Sequence, residues 1–359
     1  MINQKHTFTV LNQQDVLSCN VTDIDFAEQI VKKSFIKNFN GNVNLPSKTI
    51  LKNQDAQGYI NIMPCAILAD KDEHHRTMYG VKMIGVGEKK TENNLRFFSC
   101  VIALFDHETK ELSALVNGDI ISAYRTAAVT RLLSRYILKP DKIKNILFIG
   151  AGLHMKIHLL ALNIFLDKNV SVGVYSRGQS KYTFVEEMQQ RTCSSLWAID
   201  KLNHDIISSA DVIIGCIPNN DINEAPVKKA RLKKGAVFFN LGFNDCDIDT
   251  LLNMDKYYVD NWKMIKKREK GPIYAAYVKG LIKAEQIEHV TPFIAKNQSM
   301  RTSENEKILV SVVGMGSHDI LFANEIYKSA ISKNLGHKVE LSHSFLANSS
   351  FNYENSILD

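Results

Sequence analysis

The chain has 359 residues, of which 45% are hydrophobic, and a formal net charge of +6 at pH 7. This length exceeds the usual size of one domain and predicts two. Lys and Arg are scattered along the chain rather than gathered in a block, which indicates a solvated surface and gives no reason to expect nucleic-acid or membrane binding. No signal-peptide-like run and no stretch of ~18 apolar residues is present, so we expect a cytoplasmic protein.

The first part of the chain predicts a helix followed by strands, as in an α+β domain. Residues 25–39 carry apolar positions at helical spacing. Short apolar runs of strand type follow at 59–68, 79–87, 100–106 and 112–118. The polar segment 106–111 separates the last two runs, so we expect them to pair as a hairpin. An amphipathic helix over 123–138 then ends before Pro140 and is expected to bridge the two domains.

The rhythm then changes to strands that alternate with helices. Apolar strand runs lie at 145–150, 170–176, 211–218, 235–242 and 256–260. This alternation predicts a parallel sheet covered on both faces, that is, an α/β fold with a Rossmann nucleotide-binding domain.

After about residue 300 the sequence predicts one more strand and a long helix. We expect the helix to pack back on the first domain, because the Rossmann unit is by then complete. The expected division is a substrate-binding and dimerisation domain over 1–128 and 305–345, the Rossmann domain over 129–304, and a polar, disordered tail over 346–359.

The segment that follows the strand at 145–149 has the character of a dinucleotide-binding turn. Gly150 permits a tight turn, and Gly152 lets the backbone approach a pyrophosphate at the start of the next helix. The third glycine of the usual fingerprint is replaced by Met155. An ordinary glycine turn without a ligand is the alternative. The expected cofactor contacts here are Gly150, Ala151, Gly152, Leu153 and His154.

The end of the second strand bears on the choice between NAD and NADP. NAD-specific proteins usually hold the adenosine ribose with a carboxylate at this place. Here the sequence has Ser176 and Arg177, with Lys181 nearby. A guanidinium suits a 2′-phosphate, which favours NADP. An exposed Arg in a turn is also unremarkable, so NAD stays open.

Three cations in the first half are candidates for holding an acidic substrate. Lys82 lies in an otherwise apolar run, where a buried ammonium is costly without an anionic partner. Arg125 is followed by the small residues of RTAA, which leave space for a ligand. Lys48 follows the Leu-Pro-Ser turn. Each of these residues, taken alone, is also compatible with a surface cation.

Six cysteines occur without a CxxC pair or metal-type spacing, so we expect no disulfide and no metal site. Cys246 lies beside a candidate catalytic position, but a buried packing role is favoured over a nucleophile.

Motifs along nearly the whole chain resemble those of the ornithine cyclodeaminase and mu-crystallin family. They are Pro46 with Lys48, IMP at 62–64, VKMIG at 81–85, RTAA at 125–128, GAG at 150–152 and VGMGSHD at 313–319. Longer stretches, among them YGVKMIGVGEKKTENN and VDNWKMIKKREKGPI, resemble the opine-type dehydrogenases of siderophore (staphyloferrin B) synthesis within it.

The resemblance implies oxidation at a carbon that bears an amine. Hydride leaves N-(1-amino-1-carboxy-2-ethyl)-glutamate for NAD(P), and the imine is hydrolysed to 2-oxoglutarate and L-2,3-diaminopropionate. Lys48, Lys82 and Arg125 would bind substrate carboxylates, with Lys82 also catalytic.

Asp245 would act as catalytic base on water at the imine. The alternative is that Asp245 only caps a turn. Asn244 and Asp247 are the other candidates for the catalytic base. Arg125, Thr126 and Gly314 would also contact the cofactor. A homodimer is the implied assembly.

Departures from the family pattern narrow the range of possible substrates and cofactors. Ornithine cyclodeaminases have a glutamate where this chain has Asn61, so ornithine is disfavoured. The opine-type relatives have an acidic residue in place of Ser176 and Arg177. His318 replaces an acidic residue, and it is either functional or only a residue of the helix start. A ketimine reductase and a non-catalytic, crystallin-like NADP-binding protein are the competing interpretations.

Overall fold

The computed structural model describes residues 6–52, 58–69, 77–87, 98–218 and 221–342. Two eight-stranded sheets and their covering helices organise this part of the chain. The strands are β1 His6–Leu11, β2 Val43–Asn44, β3 Thr49–Leu51, β4 Tyr59–Ile67, β5 Met78–Val86, β6 Phe98–Phe105, β7 Leu112–Asn117, β8 Asn145–Ile149, β9 Ser171–Tyr175, β10 Ser195–Ile199, β11 Val212–Gly215, β12 Val237–Asn240, β13 Lys256–Val259, β14 Ile287–His289, β15 Ile308–Ser311 and β16 His337–Ser342. The helices are α1 Gln13–Leu17, α2 Ile24–Phe39, α3 Asp119–Ile137, α4 Leu153–Leu162, α5 Ser180–Met188, α6 His204–Ser209, α7 Ile248–Leu251, α8 Trp262–Arg268, α9 Pro272–Val278, α10 Thr291–Ala295 and α11 Gly316–Ser332.

The first sheet has the order β16-β1-β7-β6-β5-β4-β2, with β3 also paired to β4. The predicted hairpin is confirmed, since β6 and β7 pair antiparallel across residues 106–111. Alternate residues of β4 are buried, beginning at Asn61 and ending at Ile67. Helix α11 covers this sheet and contacts β4, β5 and β6, and α2 packs in turn against α11. The prediction that the last long helix packs back on the first domain is therefore confirmed.

Both chain ends contribute strands to this sheet. Strand β16 lies within the segment 305–345 that was assigned to the first domain, and it pairs antiparallel with β1. Residues 337–341 of this outer strand are exposed on both faces, and its outer edge has no partner strand among the described residues. The expected disordered tail, 346–359, lies outside the described residues.

The second sheet is parallel throughout, with the order β10-β9-β8-β11-β12-β15-β13-β14. This is the predicted α/β Rossmann arrangement, in which the strand order reverses between β8 and β11. One expectation is wrong: the sheet is not complete before residue 300. Strand β15 inserts between β12 and β13, so residues 308–311 belong to the nucleotide-binding sheet and not to the first domain.

Helix α3 joins the two halves. It packs against α2 on one side and α4 on the other, and its buried Arg131 places Nε 2.7 Å from Oε2 of Glu28 on α2. The expected boundary at residue 128 falls inside this continuous helix. Within the described residues, no helix combines the length and apolar character needed to cross a membrane.

Candidate active site

A cavity of about 930 Å³ opens where the two sheets meet. One wall is formed by the loops that follow β8, β11 and β12, at the carboxyl edge of the second sheet, and the other by β4, α3 and the segment around Lys48. The strand order of the second sheet reverses at this edge, which is where open α/β sheets bind ligands. The cavity is therefore the candidate active site.

The glycine turn after β8 has the backbone that a dinucleotide requires. Gly150 has φ +122°, and a Cβ there would lie 2.9 Å from the carbonyl oxygen of Cys216, so only glycine fits. Gly152 precedes α4 and faces open space, since a Cβ added there would meet nothing within 4 Å, and it gives the helix no side-chain cap. The first N–H groups of α4 are thus left for a phosphate. Leu153 and His154 line the cavity, whereas Ala151 is buried beneath it.

The adenosine end of the predicted cofactor site lies beyond the cavity, where β9 ends. Ser176 Oγ lies 2.9 Å from Ser180 Oγ, and Arg177 is exposed. Lys181 places Nζ 3.5 Å from the carboxylate of Asp200, which follows the adjacent strand β10. Asp200 therefore already has a cationic partner in Lys181. Strand β9 itself is followed by Ser176 and Arg177 and not by an acidic residue.

A buried ion network lies next to the cavity. Asp319 Oδ1 accepts from Lys82 Nζ at 2.6 Å and from Arg125 Nε at 3.1 Å. Burial favours the neutral acid, but the charges of Arg125 and Lys82 outweigh it and hold the pKa of Asp319 below its usual value. Two cations share one carboxylate, so the network keeps one net positive charge beside the cavity.

Lys82 was expected to touch the substrate, but the structure places it behind the cavity wall. Its side chain is fully buried, and Nζ donates to Ser122 Oγ at 2.9 Å as well as to Asp319. Burial lowers the pKa of Lys82, and Asp319 opposes that shift. In this arrangement Lys82 acts on the site through Asp319 and Arg125.

Arg125 does line the cavity, as predicted from the sequence, together with Thr126 and Gly314. Gly314 follows β15 and packs against the Arg125 guanidinium. Its N–H donates to Oδ2 of the buried Asp260 at 2.6 Å, and the N–H of Val313 donates to Oδ1 at 3.0 Å. Asp260 thereby fixes the loop on which the guanidinium rests.

Lys48 lies on the same side of the cavity as α3 and donates from Nζ to the carbonyl oxygen of Val313 at 2.8 Å. Loss of hydration lowers its pKa to about 7, helped by the positive charge of Arg268 and opposed by Asp260. A lysine with this pKa exchanges a proton near neutral pH.

Asp245 lies one layer behind the cavity rather than in it. Its carboxylate accepts from the N–H of Gly242 at 2.7 Å and from the N–H of Ile217 at 3.4 Å, and the side chain is fully buried. Burial raises its pKa to about 7, against those N–H bonds. Gly242 and Ile217, which donate these hydrogen bonds, both line the cavity, whereas Asp245 does not. The geometry therefore gives Asp245 a structural role: it holds the cavity wall in place from behind.

The neighbours of Asp245 take other roles. Asp247 caps α7 by accepting from the Thr250 N–H at 2.9 Å, and Asn244 is buried outside the cavity lining. Burial raises the pKa of Cys246 well above its usual value, which disfavours a thiolate nucleophile. His318 is fully buried in the first turn of α11, with its ring 4.6 Å from that of Phe35. Burial lowers the pKa of His318 to about 3, so it is a neutral packing residue at neutral pH.

Two residues that line the cavity were not singled out as ligands from the sequence. Arg268, the last residue of α8, stacks its guanidinium 3.5 Å from the centre of the Phe243 ring. Asn61 on β4 is buried, and its Oδ1 has no hydrogen-bond partner among the described residues. The sequence shows Arg268 only as one of several basic residues, KKREK, so nothing local distinguishes it. Asn61 stands out in the sequence as a departure from the family, but that departure assigns it no role.

Within the described ranges, no group of three or more His, Cys, Asp or Glu side chains is arranged to hold a metal ion. The glycine turn and the uncapped helix are the arrangement of a dinucleotide-binding site. Together with relatives that are dehydrogenases and reductases of amino-acid C–N bonds, they define the class of this protein: a nicotinamide-dependent oxidoreductase that acts on such a bond. The model of the ornithine cyclodeaminase/mu-crystallin family matches residues 7–334. The chain belongs to this family, and the resemblance read from its motifs is confirmed.

Among curated proteins, the chain is similar to N-((2S)-2-amino-2-carboxyethyl)-L-glutamate dehydrogenase of Staphylococcus aureus, with 26% identity over 82% of this chain and 87% of the other. Among solved structures, it resembles Thermococcus litoralis Δ1-pyrroline-2-carboxylate reductase in complex with NADH and L-proline, with a TM-score of 0.81, 22% identity and coverage of 92% and 100%. An archaeal alanine dehydrogenase dimer with bound NAD also has a TM-score of 0.81 at 22% identity, covering 94% and 100%. These structural likenesses bear on the fold.

Proposed function

We propose that the chain oxidises N-(2-amino-2-carboxyethyl)-glutamate and releases 2-oxoglutarate and 2,3-diaminopropionate. The charge of the cavity carries this proposal. Among its described lining residues, Arg125, Arg268 and Lys270 are cationic, Lys48 is charged in part at neutral pH because its pKa is about 7, and Asp119 is the one carboxylate. An amino acid with a single carboxylate needs one such cation, whereas this substrate has three carboxylates. The similarity to the S. aureus dehydrogenase supports the same substrate.

The residues of the turn fit a nicotinamide dinucleotide. Gly150 and Gly152, with the free N–H groups at Leu153 and His154, would hold the pyrophosphate. Arg125, Thr126 and Gly314 would lie at the nicotinamide end of the cavity. When bound, the nicotinamide accepts the hydride from the carbon that bears the secondary amine.

The chain's own residues would orient the substrate and move its protons. Arg125, positioned by Asp319 and Lys82, binds the carboxylate on the reacting carbon. Lys48, with a pKa of about 7, removes the proton from the secondary amine so that hydride can leave. Water then adds to the imine, the C–N bond breaks, and Lys48 returns a proton to the departing amine. Asp245 keeps the wall at Ile217 and Gly242 in place throughout.

The overall reaction balances as substrate, NAD(P)+ and water giving 2-oxoglutarate, 2,3-diaminopropionate, NAD(P)H and one proton. We further propose NADP as the preferred cofactor. The support is that Ser176 and Arg177, not a carboxylate, follow β9, and that Asp200 on the adjacent strand is paired with Lys181.

A ketimine reductase is the second candidate, because the overall fold resembles that of a Δ1-pyrroline-2-carboxylate reductase. The test incubates the purified protein and NAD+ or NADP+ with the synthetic substrate, and follows the absorbance of reduced nicotinamide together with both products. We expect equal amounts of NAD(P)H, 2-oxoglutarate and 2,3-diaminopropionate, and loss of all three in Lys48→Met. Reduction of Δ1-pyrroline-2-carboxylate without oxidation of the opine would select the reductase instead.

A further inference from the structure

A second, smaller chamber of about 360 Å³ adjoins the main cavity. Lys48, Asn61, Arg268 and Val313 line both spaces and so form their shared wall. The remaining described lining comes from two short segments, Ser47, Thr49 and Ile50 on one side and Met264 with Lys267 of α8 on the other. The two spaces are therefore adjacent, and these four residues are within reach of a ligand in either one.

Arg268 has a buried donor without a hydrogen-bond partner at this wall. Its guanidinium stacks on the Phe243 ring, and Nε is buried without a hydrogen-bond partner among the described residues. The negative charge of Asp260 acts on this group, but the Asp260 carboxylate accepts from the N–H groups of Val313 and Gly314. The side chain is half-buried, and a buried N–H group such as Nε is costly when no acceptor satisfies it. Stacking on the ring holds the plane of the group in place and leaves Nε–H for a carboxylate of a ligand.

Asn61, on the same wall, has a buried acceptor without a hydrogen-bond partner. Its side chain is 7% exposed, and Oδ1 accepts no hydrogen bond from the part of the chain that the structure describes. Arg268 supplies donors for a carboxylate, and Asn61 supplies an acceptor for an ammonium group. An α-amino acid head group carries these two groups on one carbon.

We propose that the chamber is a subsite for the α-amino acid head group of the substrate, with the carboxylate on Arg268 and the ammonium on Asn61. The inference rests on the proposed function, because it identifies this head group with the 2,3-diaminopropionate half. The glutamate half then occupies the main cavity at Arg125. Lys48, which lines both spaces, lies beside the nitrogen that joins the two halves and that carries the proton to be moved.

The first test compares two substrates in steady-state kinetics. N-(2-amino-2-carboxyethyl)-glutamate carries the head-group carboxylate, and N-(2-aminoethyl)-glutamate lacks it. Arg268→Gln is expected to raise KM for the first about 100-fold and to leave the second unchanged, since a charge-assisted pair contributes about two factors of ten. Arg268→Lys, which keeps the charge but loses the fork, falls between. Lys266→Gln is the matched control, since Lys266 is an exposed cation of the same helix that lines neither space.

Binding of 2,3-diaminopropionate alone, measured by calorimetry in the presence of NADP+, separates the subsite from the reaction. Binding to the wild type and Lys266→Gln, with at least tenfold weaker binding to Arg268→Gln and Asn61→Leu, supports the subsite even if the wild type does not oxidise the opine. In that case only the proposed function fails. Equal binding by all four proteins, or no binding by the wild type, overturns the subsite. An equal rise in KM for both substrates in Arg268→Gln would also contradict it.

Discussion

Arg125 and Gly314 lie so close that a Cβ on residue 314 would stand 2.4 Å from Nη1 of Arg125. Gly314 also has φ +74°, a conformation that other residues adopt at a cost. The loop after β15 therefore needs glycine at this position for two independent reasons. The position of the guanidinium that faces the cavity depends on the absence of a side chain nearly two hundred residues further along the chain.

Gly314→Ala is expected to displace Arg125 and to reduce kcat/KM about 100-fold, because a shift of about 1 Å in a positioning group has effects of this size. The protein should stay folded, with a loss of about 1–2 kcal/mol from the backbone strain. Steady-state kinetics and urea unfolding measure the two effects. Gly85→Ala is the control, since a Cβ there meets nothing within 4 Å and its φ is ordinary. Equal activity of both variants would contradict the assignment.

Asp319→Asn removes the one carboxylate shared by Lys82 and Arg125. Two buried cations are then left without an ionic partner, and we expect a loss of about 3–5 kcal/mol in the free energy of unfolding. Urea titration of the variant provides the measurement. Glu325→Gln breaks an ion pair with Lys328 on the partly exposed face of the same helix and should cost below about 1 kcal/mol. Similar losses in the two variants would show that the network contributes little.

The rate should depend on the protonation state of Lys48. Because its pKa is lowered to about 7 and the proposed step needs the neutral amine, kcat/KM is expected to rise with pH and to level off above about pH 7. A pH–rate profile of the wild type and of Asp245→Asn tests this assignment. The inflection should persist in Asp245→Asn at lower overall activity. Its disappearance in that variant would assign the inflection to Asp245 instead.

Asp245 should leave its mark on stability. Folding raises its pKa from 3.8 to about 7, so between these values the folded chain binds a proton that the unfolded chain does not. The contribution of protonated Asp245 to the free energy of unfolding is therefore complete below about pH 4, and it is lost as the pH rises through 7. Thermal unfolding from pH 5 to 8 should therefore show a steeper decline for the wild type than for Asp245→Asn. Parallel declines would mean that the carboxylate does not titrate in this range.

Arg177 should decide between the two cofactors. Arg177→Ala is expected to raise KM for NADP+ about tenfold, the loss of one charge-assisted contact, and to leave KM for NAD+ unchanged. Lys168→Ala, an exposed cation before β9, is the control. If the wild type prefers NAD+ and the Arg177 variant behaves like it with both cofactors, the proposed NADP preference is wrong.

Local patterns in the sequence were enough to predict the strands and helices near the site. Glycines at 150 and 152 between an apolar strand and a helix are typical of a dinucleotide-binding turn. Alternating strands and helices are typical of a parallel sheet. The hairpin of β6 and β7 followed from the polar segment between two apolar runs. These features depend on residues that are close together in the chain.

Features that depend on distant residues were missed. Nothing near residue 308 indicates that β15 inserts between β12 and β13, because its apolar residues suit any buried strand. Lys82 and Asp245 were recognised as important, but the sequence did not show that each lies behind the cavity wall and acts through other groups. Arg268 was hidden among exposed lysines, and its role emerges from a ring supplied by Phe243 on a different element.

The place of β15 also sets the order in which the nucleotide-binding domain can be finished during synthesis. Strands β12 and β13 are made first, yet each pairs with β15 and not with the other. In the complete sheet β13 lies two strand spacings, roughly 10 Å, from β12. Until residues 308–311 have left the ribosome, β13 and β14 therefore lack the strand that joins them to β12. The second sheet is thus completed only when most of the chain has emerged, because a chain that stops short of β15 lacks the link between the five strands on one side and the two on the other.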